Sequence, residues 1–152
     1  MNKTAVILTK SYKNGGYCVA GIDVNTGGWI RFVSSNMATH GAVTEEMMSY
    51  KDNSCCKIGD IVKVQVIGPA PTPHQPENYL IDEDYYWKKE GEMNLDGLLN
   101  LHNCENAYYP FIFQDSWSYI EDNALGEVDQ SLVMVEVSQL TINPVYNGCL
   151  LY

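Results

Sequence analysis

Basic residues are scarce in this sequence, and arginine is almost absent. Nine Lys and Arg residues stand against nineteen Asp and Glu residues, the formal net charge is −10, and Arg31 is the single arginine. Residues 1–63 carry seven basic and five acidic residues, whereas residues 64–152 carry two and fourteen. Because non-specific affinity for nucleic acid comes mostly from neutralising phosphates, this shortage excludes a protein that coats DNA or RNA tightly. A local site formed by Lys10, Lys13 and Arg31 stays open, as does docking on a basic protein.

Long apolar runs and a signal peptide are also missing. No stretch approaches the roughly 18 apolar residues that a membrane span needs, and the first apolar segment ends before Lys10. The five cysteines show none of the paired spacing that is typical of secreted disulfide scaffolds. We therefore predict a cytoplasmic protein that folds as one compact unit, residues 1–152, and contacts no membrane.

Motifs for metal binding and catalysis are lacking too. Cys55 and Cys56 are adjacent, without the spacer of about two to four residues that zinc ligands use, and His102 and Cys104 have no matching second pair. No glycine loop that could cradle a phosphate is present. Cys18 lies among apolar strand residues, where a cysteine is ordinarily buried and inert. We predict no metal, no cofactor and no enzymatic activity.

What the sequence does contain is a series of short strand signals. Six segments are rich in β-branched or aromatic residues and are bounded by turn residues, namely residues 5–8, 17–24, 29–34, 61–67, 79–81 and 132–137. Asn147-Gly148 predicts a hairpin near the end. Helical patterning is weaker and is confined to residues 44–50, 95–103 and 116–122. We therefore predict a mainly β fold with two or three short helices.

The most informative segment is residues 15–34, GGYCVAGIDVNTGGWIRFVS, which predicts a β-hairpin around an Asn-Thr-Gly-Gly turn. Trp29 and Arg31 share one face of its second strand, and their neighbours share the other. This placement suits stacking or an anion contact, because a guanidinium is planar and offers a rigid fork of donors. The alternative is a half-buried Trp29 with the arginine stem packed over it.

Residues 68–78, GPAPTPHQPEN, hold four of the six prolines and cannot form a central strand, because each proline removes a ladder donor. We predict a stiff, extended loop whose polar end leads into an aromatic stretch. This end is a candidate ligand rim and comprises His74, Gln75, Glu77 and Asn78. The alternative is that His74 and Asn78 satisfy buried backbone groups where the loop crosses the sheet.

Aromatic rings are plentiful, with eleven Tyr, three Trp and three Phe residues. Most rings at strand spacing pack in a core. In the run Tyr85-Tyr86-Trp87, at least one ring should face outward, because adjacent strand residues point to opposite sides. Trp87 is therefore a further candidate for stacking on a ligand.

Several of these segments resemble, in order and spacing, the bacterial family of dual OB-fold domains. The resemblance rests on CVAGIDVNTGGWIRFVS in the hairpin, IGDIV at residues 58–62, HQPENYLID at 74–82 and SLV at 131–133. It covers nearly the whole chain. It implies two small, intertwined barrels, each of about five strands, and a role in binding nucleic acid or a nucleotide. It also implies an association with bacterial or phage conflict systems.

The resemblance predicts how the chain is divided. Residues 1–90 would form a first OB-like barrel, residues 91–130 a helical or irregular insert, and residues 131–152 the start of a second, incomplete barrel. An incomplete sheet leaves an unpaired edge, which proteins often cover by pairing with another copy. We therefore predict a homo-oligomer.

OB-type barrels stack bases on exposed rings while a basic groove follows the phosphates. The sequence therefore predicts a non-catalytic binding module for single-stranded nucleic acid or a small nucleotide. Its candidate ligand-binding residues are Lys10, Lys13, Trp29, Arg31, His74, Gln75, Glu77, Asn78 and Trp87. The alternative is an acidic interaction protein, an inhibitor or polyanion mimic, that docks on a basic protein partner.

Overall fold

The structure is a computed structural model that describes residues 1–105 and 131–139. Within these residues the chain is mainly β, with six strands, one short 3₁₀ helix and one α-helix. The elements are β1 (Asn2–Lys13), β2 (Gly16–Asp23), β3 (Trp29–Val33), the 3₁₀ helix (Met37–Thr39), β4 (Asp60–Pro69), β5 (Asn78–Ile81), β6 (Lys88–Glu92) and α1 (Leu95–Leu101). Neither of these helices is long and apolar enough to cross a membrane.

Five of the strands close into a barrel. The sheet order is β1-β2-β3-β5-β4, and β1 pairs back onto β4. β3 and β5 run parallel, whereas the other pairs of named strands are antiparallel. β6 pairs with the first half of β4, beside the stretch that pairs with β5. A small barrel of five strands joined in this way is an OB fold, so the prediction of a mainly β, OB-like barrel is confirmed.

Two tight turns set the register of the first three strands. Asn14 and Gly15 have φ angles of 51° and 80°, which is the geometry of a two-residue type I′ hairpin between β1 and β2. Gly21 in β2 approaches β1 so closely that a Cβ there would lie 1.8 Å from the Val6 carbonyl oxygen. The predicted turn between β2 and β3 also forms, with Gly27 at a φ of 69°. These turns bring β3 alongside β2.

The barrel interior is filled by alternate strand residues. In β3, Ile30 and Phe32 are buried, while Trp29 and Arg31 are half-buried on the outer face, as the predicted alternation requires. A second, smaller apolar cluster lies on that outer face, where Leu98 of α1 packs against β1 and β2. α1 therefore covers part of the face that carries Trp29.

The helix predictions are only partly right. α1 confirms a helix within residues 95–103, and the Asn94 side chain caps it by accepting a hydrogen bond from Gly97 N–H at 2.9 Å. The helix predicted over residues 44–50 is wrong, because this segment forms turns. Met48 and Tyr50 both point into the barrel core, and burial at alternate residues overrides the local helical pattern. The helix predicted over residues 116–122 lies outside the described residues.

Two strand assignments differ from the prediction. β6 has the sequence KKEGE, which carries no strand signal, yet it pairs with β4 from Lys88 to Glu92. Conversely, residues 132–137 do not form the predicted strand, since Val135 makes one isolated parallel bridge with Glu105. The hairpin predicted at Asn147-Gly148 lies outside the described residues. Pairing across the fold, rather than local propensity, decides both segments.

The five barrel strands all lie between Asn2 and Ile81. The predicted boundaries of a first barrel at residues 1–90, an insert at 91–130 and the start of a second barrel at 131–152 stay predictions. Residues 131–139 pack on the outer face of β3, where Ser131 contacts Arg31 and Met134 contacts the cluster that includes Trp29.

Candidate functional site

Arg31 is held by the loop between β4 and β5, residues 70–77. Because β3 and β5 pair in parallel, the Arg31 N–H donates to the Glu77 carbonyl oxygen at 3.0 Å. The same pairing places the Glu77 carboxylate 3.1 Å from Arg31 Nε, with the two side chains 6% and 13% exposed. Arg31 Nη2 also donates to Ser131 Oγ at 2.6 Å, and that hydroxyl donates to Glu77 Oε1. The single arginine is therefore neutralised by a residue of its own chain.

Trp29 lies next to this ion pair and has its own polar partners. Its Nε1–H donates to Glu105 Oε1 at 3.3 Å, and its ring meets the His102 ring edge to face, with centroids 5.5 Å apart. His102 in turn lies 2.7 Å from the Gly27 carbonyl oxygen and 3.1 Å from Glu105 Oε1. These contacts fix the orientation of the indole on the barrel surface.

Glu105 is the polar centre of this cluster. Burial raises the pKa of its carboxyl, but hydrogen bonds from the Met134 N–H, from Trp29 and from His102 outweigh burial and hold the pKa below its ordinary value. The Met134 N–H lies 2.7 Å from Glu105 Oε2. Glu105 is therefore ionised at neutral pH.

A groove of about 420 Å³ opens beside these residues, and we call it the β3 groove. It is lined by Gly28, Trp29, Pro76, Glu77, His102, Glu105 and Leu132. Among these residues two carry carboxylates, and none is a lysine or an arginine. The β3 groove therefore offers an aromatic ring and hydrogen-bond acceptors, and it opposes the approach of a phosphate.

Three buried polar atoms between residues 74 and 78 have no hydrogen-bond partner among the described residues, namely His74 Nδ1, Glu77 Oε2 and Asn78 Oδ1. An orphaned buried acceptor is costly, so such atoms are usually satisfied by something. Glu77 Oε2 belongs to a residue that lines the β3 groove. This oxygen is itself buried, so the groove does not present it to a ligand.

The polar end of the β4–β5 loop is ordered by its own contacts. The backbones of Thr72 and Gln75 exchange hydrogen bonds of 3.2 and 3.1 Å, and Asn78 Nδ2 donates to Gln75 Oε1 at 3.1 Å. Of the four predicted loop residues, the structure places Glu77 in the β3 groove, with Asn78 opposite Arg31 and Gln75 bound to Asn78. Their role towards a ligand stays a prediction.

The two predicted lysines do not converge on Arg31. Lys10 stands opposite Val19, which stands opposite Phe32, so Lys10 occupies the other face of the sheet from Arg31. Its Nζ donates to the Cys56 carbonyl oxygen at 3.2 Å and lies 4.8 Å from the Tyr17 ring centroid.

Lys13 lies exposed at the end of β1, beside the hairpin turn. The cationic site of Lys10, Lys13 and Arg31 is therefore not assembled.

Trp87 is buried in the barrel core. It is 2% exposed, and its ring packs edge to face on Phe32 with centroids 5.1 Å apart. Its indole presents no face to a ligand, which removes Trp87 from the candidate site. The outward rings of this run are Tyr85 and Tyr86, which are 55% and 61% exposed. The expectation that at least one ring faces outward is confirmed.

The structure adds three residues to the β3 groove region that the sequence did not single out for binding. His102, Glu105 and Ser131 reach the β3 face from 75, 76 and 100 residues away along the chain. No local pattern carries that information. The isolated bridge between Glu105 and Val135 is what holds the two distant segments together over β3.

The comparisons with known proteins agree with this architecture. A family model described as "Dual OB-containing domain" matches residues 3–148. No curated protein and no solved structure matches the chain. The matched range covers the five barrel strands, except the first residue of β1, and all the residues that line the β3 groove.

Proposed function

The chain belongs to the dual OB-containing domain family, and on that premise we propose that it is a non-catalytic binding module for single-stranded nucleic acid or a small nucleotide. The observation that carries the proposal is the position of the β3 groove. OB barrels bind oligonucleotides on the face of their second and third strands, between the β1–β2 and β4–β5 loops. Trp29 lies on the outer face of β3, and Glu77 is the last residue of the β4–β5 loop.

The chemistry of the β3 groove suits the edge of a base better than a phosphate. Trp29 supplies a ring for stacking, and such contacts contribute about 1–3 kcal/mol per base. The Glu105 carboxylate accepts hydrogen bonds from amino and imino groups, as acidic side chains do from cytosine N4. A phosphate would instead meet this carboxylate and no lysine or arginine among the lining residues. We therefore expect binding that depends on the base and falls only weakly with salt.

A fluorescence-anisotropy titration tests this function. Labelled single-stranded DNA and RNA are titrated at low and at physiological salt, with each of the four mononucleotides as a competitor. Binding that survives physiological salt and is competed by one class of base supports the proposal. Absence of binding at both salt concentrations contradicts it.

A pair of charge-matched variants tests the location. Glu105→Gln removes a carboxylate from the β3 groove, while Glu46→Gln removes an exposed carboxylate elsewhere. We expect Glu105→Gln to change the base preference or lower the affinity, and Glu46→Gln to leave both unchanged. Equal behaviour of the two variants would exclude the β3 groove as the binding site.

An acidic surface supports the second candidate, an interaction protein that docks on a basic partner. A groove of about 320 Å³ is lined by Glu46, Glu83 and Asp84 together with the exposed rings of Tyr85 and Tyr86. Carboxylates beside exposed rings suit lysine and arginine side chains of a partner.

A basic peptide tests this second function. We expect Asp84→Lys to weaken the binding of a polylysine peptide more than Glu136→Lys does, because Glu136 is exposed but lies outside this groove. Equal weakening would indicate attraction to net charge alone, and no binding in low salt would exclude this function.

Three further parts of the proposal concern the protein in the cell. We propose that it resides in the cytoplasm, acts in a bacterial or phage conflict system, and forms a homo-oligomer. Size-exclusion chromatography with light scattering tests the last of these, and a monodisperse monomer at micromolar concentration contradicts it.

A further inference from the structure

A third groove, of about 540 Å³, lies between the turn at residues 50–54 and the segment at residues 86–89, and it shares Tyr86 with the groove of about 320 Å³. We call it the lysine groove, because it is lined by Lys51, Lys88 and Lys89, together with the ring of Tyr86. Lys88 and Lys89 are the two basic residues of the acidic part of the chain, residues 64–152. No residue lines both this groove and the β3 groove. Cations are therefore concentrated where the sequence is poorest in them.

A buried carboxylate, that of Asp60, holds two of the residues that line this groove, Tyr50 and Lys89. Asp60 is 3% exposed, accepts a hydrogen bond from Tyr50 Oη at 2.7 Å, and lies 2.6 Å from Lys89 Nζ. The Lys57 N–H donates to the same carboxylate at 2.9 Å. Hydrogen bonds to Asp60 and Glu92 raise the pKa of Lys89, so its charge is permanent at neutral pH. Asp60 thereby positions a cation at the groove while its own charge is satisfied.

The buried indole of Trp87 orients its two neighbours in the chain. Because adjacent residues of an extended chain point to opposite sides, burial of Trp87 turns Tyr86 and Lys88 outward. Tyr86 is 61% exposed, and the Lys88 side chain is 72% exposed. A ring and an ammonium group thus stand on the same rim, in orientations that the core determines.

Two of the three lysines that line this groove, Lys51 and Lys88, have no strong ion-pair partner among the described residues. Lys51 makes no hydrogen bond or ion pair with any residue of the described ranges. Lys88 has one exposed contact, 3.3 Å to Glu90, and exposed pairs of this kind are weak and easily exchanged. Lys88 also stands directly opposite Lys63 across β4 and β6, where like charges oppose each other. A bound anion would relieve this repulsion.

We propose that the lysine groove binds the phosphate groups of a nucleotide whose base stacks on Tyr86. Lys51 and Lys88 contact the phosphates, while Lys89 stays paired with Asp60 and Glu92. The carboxylate among the lining residues, Asp52, is bonded to the Ser54 hydroxyl at 2.6 Å and to the Ser54 N–H at 2.9 Å. The volume lies within the roughly 300–1,000 Å³ that small-molecule sites occupy. This site is independent of the β3 groove, so either can fail alone.

Isothermal titration calorimetry with adenosine triphosphate, tripolyphosphate and adenosine as probes tests the proposal. We expect adenosine triphosphate to bind most tightly, tripolyphosphate less tightly and adenosine least. Lys51→Ala and Lys88→Ala should each weaken adenosine triphosphate and tripolyphosphate by about tenfold, the loss expected for a charge-assisted contact. Tyr86→Ala should weaken adenosine triphosphate and adenosine and leave tripolyphosphate unchanged.

Two controls decide the outcome. Lys57→Ala removes the same charge at an exposed lysine whose side chain does not line the groove, and its affinity should equal that of the unchanged protein. Thermal melts confirm that each variant is folded. An equal loss with Lys57→Ala would overturn the proposal in favour of diffuse attraction. If tripolyphosphate binds as tightly as adenosine triphosphate and Tyr86→Ala has no effect, the proposal that the base stacks on Tyr86 is overturned. If no probe gives a binding heat, the proposed site is overturned.

Discussion

The β3 groove and the lysine groove use similar residue types in opposite ways. Each combines an aromatic residue with charged side chains on the barrel surface. In the β3 groove region, Glu77 neutralises the cation Arg31, and carboxylates are what line the groove. In the lysine groove, Asp60 and Glu92 pair with Lys89, whereas Lys88 has only an exposed contact with Glu90 and Lys51 has no ion pair with a described residue. The difference shows that the partner of a charge, rather than its presence in the sequence, decides whether a surface presents that charge.

This difference originates in strand pairing. β3 pairs with β5 in parallel and so receives Glu77 at the end of the β4–β5 loop, whereas β4 pairs with β6 and so receives two lysines. Counting charges along the chain points the other way, because residues 1–63 have the positive balance. The three predictions below break or sharpen the comparison.

Glu77→Ala is expected to have the largest effect. It leaves the Arg31 guanidinium, 13% exposed, without its carboxylate, and breaking a buried ion pair in this way costs about 3 kcal/mol of the free energy of unfolding. Urea denaturation followed by tryptophan fluorescence measures the loss. The matched control is Glu90→Ala, which breaks the exposed pair with Lys88 and should change stability by less than about 0.5 kcal/mol. Similar losses in both variants would show that Arg31 is not locked by Glu77.

Asp60→Asn comes next, with an expected loss of about 2 kcal/mol at pH 7, because it weakens charge-assisted hydrogen bonds to a buried group. Burial raises the pKa of Asp60, but hydrogen bonds from Lys89, from Tyr50 and from the Lys57 N–H outweigh it, so the folded pKa is lowered. A lowered carboxyl pKa stabilises the fold fully above the unfolded value of about 3.9 and loses that effect as the pH falls through the folded value.

The difference between this variant and the unchanged protein should therefore shrink as the pH falls below about 4. Urea denaturation at a series of pH values measures it. A difference that stays constant down to pH 2 would contradict the role of the Asp60 charge.

Ser131→Ala has the smallest expected effect. The hydroxyl accepts from Arg31 and donates to Glu77, and loss of these contacts at a partly exposed site should cost about 1 kcal/mol. A thermal melt detects the shift. Ser138→Ala is the control, because Ser138 is exposed and makes no hydrogen bond with the described residues. If both serines can be replaced without effect, the contact of residue 131 does not hold its segment on β3.

Local pattern was sufficient for the faces of the first hairpin and for the loop that meets it. The alternation at Trp29 and Arg31 and the prolines before Glu77 each depend on neighbours a few residues away. The alternation of strand residues and the preferences of turn residues can both be recognised from neighbours a few positions away. The Asn14-Gly15 turn was missed, although this dipeptide is a hairpin signal, and for that reason β1 was predicted to end at residue 8 rather than at Lys13.

Long-range pairing is what the sequence could not supply. The parallel register of β3 and β5 sets Glu77 against Arg31, and the contacts of Glu105 and Ser131 depend on segments brought back over β3. Lys10 shows the same limit, since its partner is the Cys56 carbonyl oxygen, 46 residues away. Trp87 was wrongly assigned to the ligand site, because the two tyrosines before it, Tyr85 and Tyr86, take the exposed positions.

The position of the single arginine also gives the chain one cleavage point for an arginine-specific protease. Arg31 lies in the middle of β3, between β2 and β5, with its side chain 13% exposed. A protease needs an extended, accessible strand, so this bond is cut only when β3 leaves the barrel. The rate at which two fragments appear then reports how often the barrel opens, and a ligand that keeps β3 in place lengthens the life of the intact chain.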